Sequence, residues 1–275
     1  MLIQRVTTAL VLLLVLLAAV LFAKPWGLIV LTLLFVGVGI GEWLTLLGLS
    51  RRAAIIVAIV VVTLLWFSNL QLAAHPTWLV GLLGLDALVW TGLGLWLIFT
   101  GNFPLGRRTK LGWIACAIAL PSICALALLA AYRVGLVFML SILALVWVAD
   151  IAAYFFGRAF GRHKLAPSIS PGKTVEGALG GLLAVWIVGL LALGAPFSDS
   201  FFGRLGRTWP LPGLILALAF LVGLSIVGDL LESCLKRQVG AKDSGRLLPG
   251  HGGVLDRIDA LLPVIPVALL MSHGW

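Results

Sequence analysis

Residues 212–236 read PGLILALAFLVGLSIVGDLLESCLK. From Gly213 to Gly228 the sole polar side chain is Ser225, and none is charged. About 20 such residues in a helix cross the hydrocarbon core of a bilayer, so the stretch predicts a membrane span over 212–233. Charge enters before the helix ends. Ser225, Asp229, Glu232, Ser233 and Lys236 fall at i, i+4, i+7, i+8 and i+11, on one helical face. A carboxylate in a span costs about 2.5–3.5 kcal/mol on insertion scales, so this face is expected to turn toward a polar cavity or a partner.

The apolar character extends outward from this helix. The chain of 275 residues is 62% hydrophobic and 11% charged, whereas soluble domains carry about 25% charged residues. This composition excludes a soluble globular fold. Spans are expected at 6–23, 27–49, 53–74, 78–99, 111–131, 134–156, 177–195, 212–233 and 259–273, with Pro263 and Pro266 interrupting the last. Residues 6–23 read as the first span rather than a cleaved signal peptide, because no small-residue cleavage site precedes a soluble domain. The expected fold is an all-α polytopic integral membrane protein of about nine transmembrane helices. We read 1–275 as a single membrane domain, with 1–140 as apolar spans and 141–275 as the catalytic part.

With the N-terminus in the cytoplasm and the C-terminus outside, 15 of the 19 Lys and Arg residues fall on the inner side and 4 on the outer side. This is the positive-inside pattern, and it makes 157–176 and 234–258 cytoplasmic loops. The same pattern accounts for the net charge of +9 without a nucleic-acid partner. Cys116, Cys124 and Cys234 lie apart, with no zinc or disulfide spacing.

Residues 229–259 hold ten of the 29 charged side chains. Asp229, Glu232, Asp243, Asp256 and Asp259 are interleaved with Lys236, Arg237, Lys242, Arg246 and Arg257, and with Gly240, Gly245, Gly250, Gly252 and Gly253. Glycines let backbone N–H groups approach a ligand. Acids, bases and glycines together suit a metal–phosphate complex, in which Mg²⁺ is held by one or two carboxylates plus substrate phosphates. A second polar segment, 149–181, carries Asp150, then Arg158, Arg162, His163 and Lys164, then SPGKTVEG before a helix. Gly172-Lys173-Thr174 is not a P-loop, since Pro167 stands where the first glycine is required. Ser170 is expected to be the N-cap and Pro171 the first helical residue, an arrangement that also suits an anion. Glu42 and Asp86 lie in apolar spans and are expected to meet polar groups inside the bundle.

Ser233-Cys-Leu-Lys236-Arg237, Lys242-Asp243-Ser-Gly245 and Leu248-Pro249-Gly-His251-Gly252-Gly253-Val-Leu-Asp256-Arg257-Ile-Asp259 resemble the motif of phosphatidate cytidylyltransferases. Asp150 to Gly177 resembles the upstream polar region of that family, through Ala153-Tyr154, Gly157-Arg158 and Ser170-Pro171-x-Lys173-Thr174-x-Glu176-Gly177. Ile151-Ala152 departs from the small polar or glycine pair common there, and residues 1–140 match only as a string of spans.

The resemblance implies that CTP and phosphatidate give CDP-diacylglycerol and pyrophosphate with Mg²⁺. It also implies location in the bacterial inner membrane with the site facing the cytoplasm, and it is compatible with a homodimer. Asp229 and Asp256 are the expected metal ligands, holding one or two cations, with Asp259 a further candidate. Lys236, Arg237, Lys242 and Arg257 are expected to hold phosphates, and His251 to contact a phosphate or aid the leaving group. Ser170, Lys173, Thr174, Asp150, Arg158, Asp243, Gly252 and Gly253 are expected to bind substrate. A CTP-dependent polyprenol kinase and an ion or phosphate transporter are the competing readings.

Overall fold

The computed structural model describes residues 11, 14–19, 22, 24–71, 76–104, 106, 109–194, 197–248 and 252–272. Ten helices and one small hairpin follow in chain order. They are α1 (Lys24–Leu46), α2 (Arg51–Gln71), α3 (Pro76–Thr100), α4 (Lys110–Val134), α5 (Leu136–Phe160), β1 (Lys164–Ala166), β2 (Ser170–Thr174), α6 (Val175–Leu191), α7 (Phe201–Thr208), α8 (Leu211–Gln238), α9 (Leu255–Ile258) and α10 (Leu261–Met271). Six of them, α1 to α5 and α8, are long and apolar enough to cross a membrane. Ile55, Ile56, Ile59, Val60, Leu64 and Phe67 of α2 are exposed, a face that suits lipid. The architecture is that of an all-helical membrane protein.

Two expected spans take a different form. A third, 6–23, falls mostly outside the described residues, and those described at 11 and 14–19 are helical. The segment at 177–195 forms the 17-residue α6, at the short limit for crossing a bilayer. The segment at 259–273 begins with a turn directly after α9 and continues as the 11-residue α10. Pro263 sits in the first turn of α10, where its missing N–H has no intrahelical acceptor to lose; Pro266 lies inside the helix. Among the described residues the structure shows six helices long and apolar enough to cross a membrane.

Contacts divide the chain into two compact units. The first comprises 1–76, 104–129 and 235–258; the second comprises 77–103, 130–234 and 259–275. In the first, α1 packs on α2 at Gly37, where a Cβ would stand 2.7 Å from Val62 Cγ2. The α9 turn docks on α1 at Gly39, where a Cβ would lie 3.0 Å from Ile258 Cδ1.

In the second unit, α5 and α6 approach through small residues. A Cβ on Gly177 would meet the Ala153 carbonyl oxygen at 2.8 Å, and one on Gly181 would meet that of Ala149 at 2.7 Å. Ala149, Ala153 and Gly157 recur every four residues against Gly177 and Gly181. This is the small-residue seam by which membrane helices bring their backbones together. It fixes the β1–β2 hairpin, which connects the two helices.

The hairpin corrects the expected helix start. Ser170–Thr174 is a strand, antiparallel to Lys164–Ala166 with Lys164 opposite Thr174. Ser170 is therefore not an N-cap and Pro171 is not a first helical residue. Thr174 caps α6 instead, its hydroxyl accepting from the Gly177 N–H at 3.1 Å. Thr174 has the extended backbone of an N-cap, φ −125° and ψ 154°, which also ends a strand.

Candidate active site

The glycine-rich loop begins where α8 stops. Gly240 takes φ 68°, its N–H bonds the Arg237 carbonyl at 3.1 Å, and the Ala241 N–H reaches back to Lys236 at 2.9 Å. This six-to-one and five-to-two pair is a Schellman cap, and glycine supplies the left-handed residue it requires. The chain then turns back in a loop held by two carboxylates of the first unit.

Asp256 is the centre of that loop. Its Oδ1 pairs with Lys236 Nζ at 2.5 Å, and the two side chains are 6% and 12% exposed. Its Oδ2 accepts from the Ser244 N–H at 2.8 Å, the Ser244 hydroxyl at 2.9 Å and the Gly253 N–H at 2.8 Å. Glu42, from α1, reaches the same loop. Its Oε2 accepts from the Ser244 hydroxyl at 3.0 Å and from the Leu255 N–H at 2.8 Å.

The glycines follow from these two acids. A Cβ on Gly253 would stand 2.5 Å from Glu42 Oε2, one on Gly252 2.7 Å from Asp256 Oδ2, and one on Gly245 would collide with Glu42 Oε1. Gly252 also has φ 83° and closes a bridge with Leu248. Arg237, Lys242, Asp243 and Arg257 are exposed. His251 lies outside the described residues.

The second unit carries its own acid–base cluster. Lys173 Nζ, on β2, pairs with Asp229 Oδ2 of α8 at 2.5 Å. Ser233 donates its hydroxyl to Asp229 Oδ1 at 3.2 Å. Asp150 of α5 lies within the electrostatic reach of both Lys173 and Asp229. One carboxylate, one hydroxyl and one ammonium thus meet between β2 and α8, with Asp150 of α5 acting on them electrostatically. Thr174 is buried as the α6 cap, Ser170 is half-buried at the start of β2, and exposed Arg158 donates to the Tyr154 hydroxyl at 3.3 Å. Asp259 is half-buried and its Oδ1 accepts the N–H of Ala260; Gly228 leaves room for its carbonyl against α8.

Glu176 fastens the hairpin. Its carboxylate accepts the Arg162 N–H at 3.0 Å and the His163 N–H at 3.2 Å, and His163 Nδ1 lies 2.6 Å away. The Arg162 N–H first, then the His163 ring, hold this carboxyl down to about 2. Its place in the first turn of α6 acts in the same direction.

Among the described residues, no three His, Cys, Asp or Glu side chains converge to hold a metal ion. Asp150 and Asp229 carry hard oxygens of the kind that suits Mg²⁺ once substrate phosphates complete the shell. Asp256 fits that role less well, since both its oxygens are engaged in holding the loop. The cytidylyltransferase family model matches residues 3–274. The chain belongs to the cytidylyltransferase family. It is 41% identical over 284 aligned positions to a phosphatidate cytidylyltransferase of Pseudomonas aeruginosa, a match covering 100% of this chain and 99% of that one. A phosphatidate cytidylyltransferase of Haemophilus influenzae is 46% identical over 132 residues, 48% of this chain and 44% of the other. One of Brucella suis is 49% identical over 140 residues, 51% of this chain and 47% of the other.

Within this family member, the motif residues separate into two sets. Lys236, Gly252, Gly253 and Asp256 assemble the loop of the first unit, while Lys173 and Asp229 pair in the second, with Asp150 acting on them electrostatically. Sequence reasoning missed three contributors. Glu42 stood out only as an acid in an apolar span, Ser244 only as a motif residue, and the Glu176–His163 contact needed the hairpin to bring its members together.

Proposed function

We propose that the chain is a nucleotidyltransferase that transfers the cytidylyl group of CTP to phosphatidate, giving CDP-diacylglycerol and pyrophosphate. The observation that carries this reading is the match along the full length, at 41% identity, to a relative of that name. The two acid–base clusters supply chemistry that suits it. A phosphatidate oxygen attacks the α-phosphorus of CTP, a P–O bond forms there, and the bond to the β-phosphate oxygen breaks to release pyrophosphate. The nucleophile is already an anion at neutral pH, so no general base is needed. The protein's task is positioning and charge neutralisation.

Asp229 and Asp150 would hold Mg²⁺, which neutralises phosphate charge when bound. Lys173 orients Asp229 through their ion pair, and its ammonium is placed to meet a phosphate. Arg237, Lys242 and Arg257 offer cations to the polyphosphate, and Asp256 with Lys236 holds the loop that bears them. We further place the N-terminus and the loops 157–176 and 234–258 in the cytoplasm of a bacterial inner membrane, where CTP is available, from the 15-to-4 distribution of basic residues.

The test uses the full chain in detergent with Mg²⁺, CTP and phosphatidate, and both products are identified. CDP-diacylglycerol and pyrophosphate are expected in equal amounts, with Asp229→Asn reducing turnover at least 100-fold. Release of CDP in place of pyrophosphate, with a phosphorylated lipid, would show γ-phosphoryl transfer and overturn the reading.

A further inference from the structure

We propose that Glu42 is a positioning residue that sets the shape of the glycine loop by reach rather than by charge. The residue belongs to α1, some 200 positions before the loop. Its Oε2 takes one hydrogen bond from each end of the loop, from Ser244 at the start and from Leu255 at the first residue of α9. Gly39, one turn earlier on α1, receives Ile258 of the same α9 turn. The pairs Gly39/Glu42 and Leu255/Ile258 are both spaced i, i+3, so one face of α1 is fitted to one face of α9.

Three observations indicate that the fit was built around the carboxylate. Gly245 and Gly253 are the positions where a Cβ would strike Glu42 Oε1 and Oε2. Gly245 has no left-handed φ, so its own backbone would accept alanine; the obstacle there is Glu42. Ser244 Oγ lies between Glu42 Oε2 at 3.0 Å and Asp256 Oδ2 at 2.9 Å, so the acid that pairs with Lys236 and the acid from α1 share one hydroxyl. Glu42 thereby acts through Ser244 and the loop backbone on the orientation of Asp256 and of the exposed Lys242 and Arg257. It touches no reacting atom in this arrangement.

The reach argument separates Gln from Asp at position 42. Gln retains an oxygen at the same distance, able to accept from both Ser244 and Leu255. Asp retains the charge but withdraws it by one methylene, roughly 1.5 Å. Glu42→Gln is therefore expected to keep kcat/KM for CTP within about threefold of wild type, and Glu42→Asp to lose at least tenfold.

Gly245→Ala tests the same contact from the other side. In the wild-type background it should lose at least tenfold; in the Glu42→Asp or Glu42→Ala background it should add less than about twofold. Gly253→Ala should show no such relief, because its Cβ would also stand 2.6 Å from the Gly245 backbone nitrogen. The inference rests on the proposed reaction only for its activity assay. A second readout is independent of it: amide exchange at Leu255 should quicken at least tenfold in Glu42→Asp and Glu42→Ala, and not in Glu42→Gln. If Glu42→Asp is active and Glu42→Gln is not, the carboxylate acts by charge and the inference is overturned. Equal effects of Gly245→Ala in both backgrounds, or unchanged Leu255 exchange in Glu42→Asp, overturn it as well. Failure of wild type to make CDP-diacylglycerol would sink the proposed reaction and leave the Leu255 exchange in the position 42 variants to judge the inference alone.

Discussion

Replacing Asp256 by Asn should open the glycine loop before it affects anything else. The carboxylate has four donors around it: Lys236 Nζ, the Ser244 N–H and hydroxyl, and the Gly253 N–H. Asn keeps one acceptor oxygen. If that oxygen serves Ser244 and Gly253, the new NH₂ group faces the Lys236 ammonium, donor against donor. If it serves Lys236, the NH₂ group faces two backbone N–H groups. Either way Lys236, 12% exposed, loses its ion pair with Asp256. Removing one partner of a buried pair costs about 3–5 kcal/mol, or roughly two to four orders of magnitude in the equilibrium for opening the loop.

Amide exchange at Ser244 and Gly253, read by mass spectrometry in detergent, measures that opening directly. Protection should fall at least 100-fold in Asp256→Asn, with the α5–α6 amides of the second unit unchanged. Adding Lys236→Met removes the stranded charge and should restore protection to within about tenfold of wild type, because the cost lies mainly in the unpaired ion. Turnover should stay low in the double variant, since the loop then lacks Lys236. Full protection in Asp256→Asn would refute the reasoning. If turnover were nevertheless lost, Asp256 would return to the role of a metal ligand expected from the sequence.

Two further expectations concern the hairpin and the orientation of the loops. Glu176 is held at about 2 in the folded protein against an ordinary 4.5, so its stabilisation is complete above about pH 4.5 and is lost as the pH falls toward 2. Exchange protection at Arg162 and His163 should decline across that window in wild type and show no such step in Glu176→Gln; superimposable profiles would remove Glu176 from the hairpin's support. Lys242→Cys, on the exposed part of the loop, should react with a membrane-impermeant maleimide only when the cytoplasmic face of sealed vesicles is presented, and labelling from the opposite face alone would invert the proposed orientation.

The fold class was legible because it depends on composition. A chain that is 62% hydrophobic has few physical options, and helices α1 to α5 and α8 fall close to the expected segments. The helix start at Ser170 was misread for a local reason. Ser-Pro ahead of a helix has the grammar of a cap, yet the same Pro at an edge strand costs nothing, and Lys164–Ala166 was too short to announce a partner. Thr174 performs the capping that Ser170 was expected to perform, four residues later, with the same chemistry. The last expected span was misjudged because apolarity alone does not record the turn at Asp259-Ala260.

The site was legible as a set of residue types, but not in the way they pair. Charge density marked 229–259, and the glycines were read as room for a ligand. At Gly245, Gly252 and Gly253 the structure gives a nearer cause: the space is taken up by the protein's own carboxylates, Glu42 and Asp256. A segment that leaves Arg237, Lys242 and Arg257 exposed is not held together by burying those cations. It can be held by acids beneath it, provided that the backbone above them carries no side chains. That condition requires an acid from outside the loop, and local sequence spacing gives no sign of one supplied from position 42. The mixture of acids and glycines then follows from packing two carboxylates against a thin loop backbone, and under the proposed reaction the residues that would meet substrate need not be those that most resist substitution.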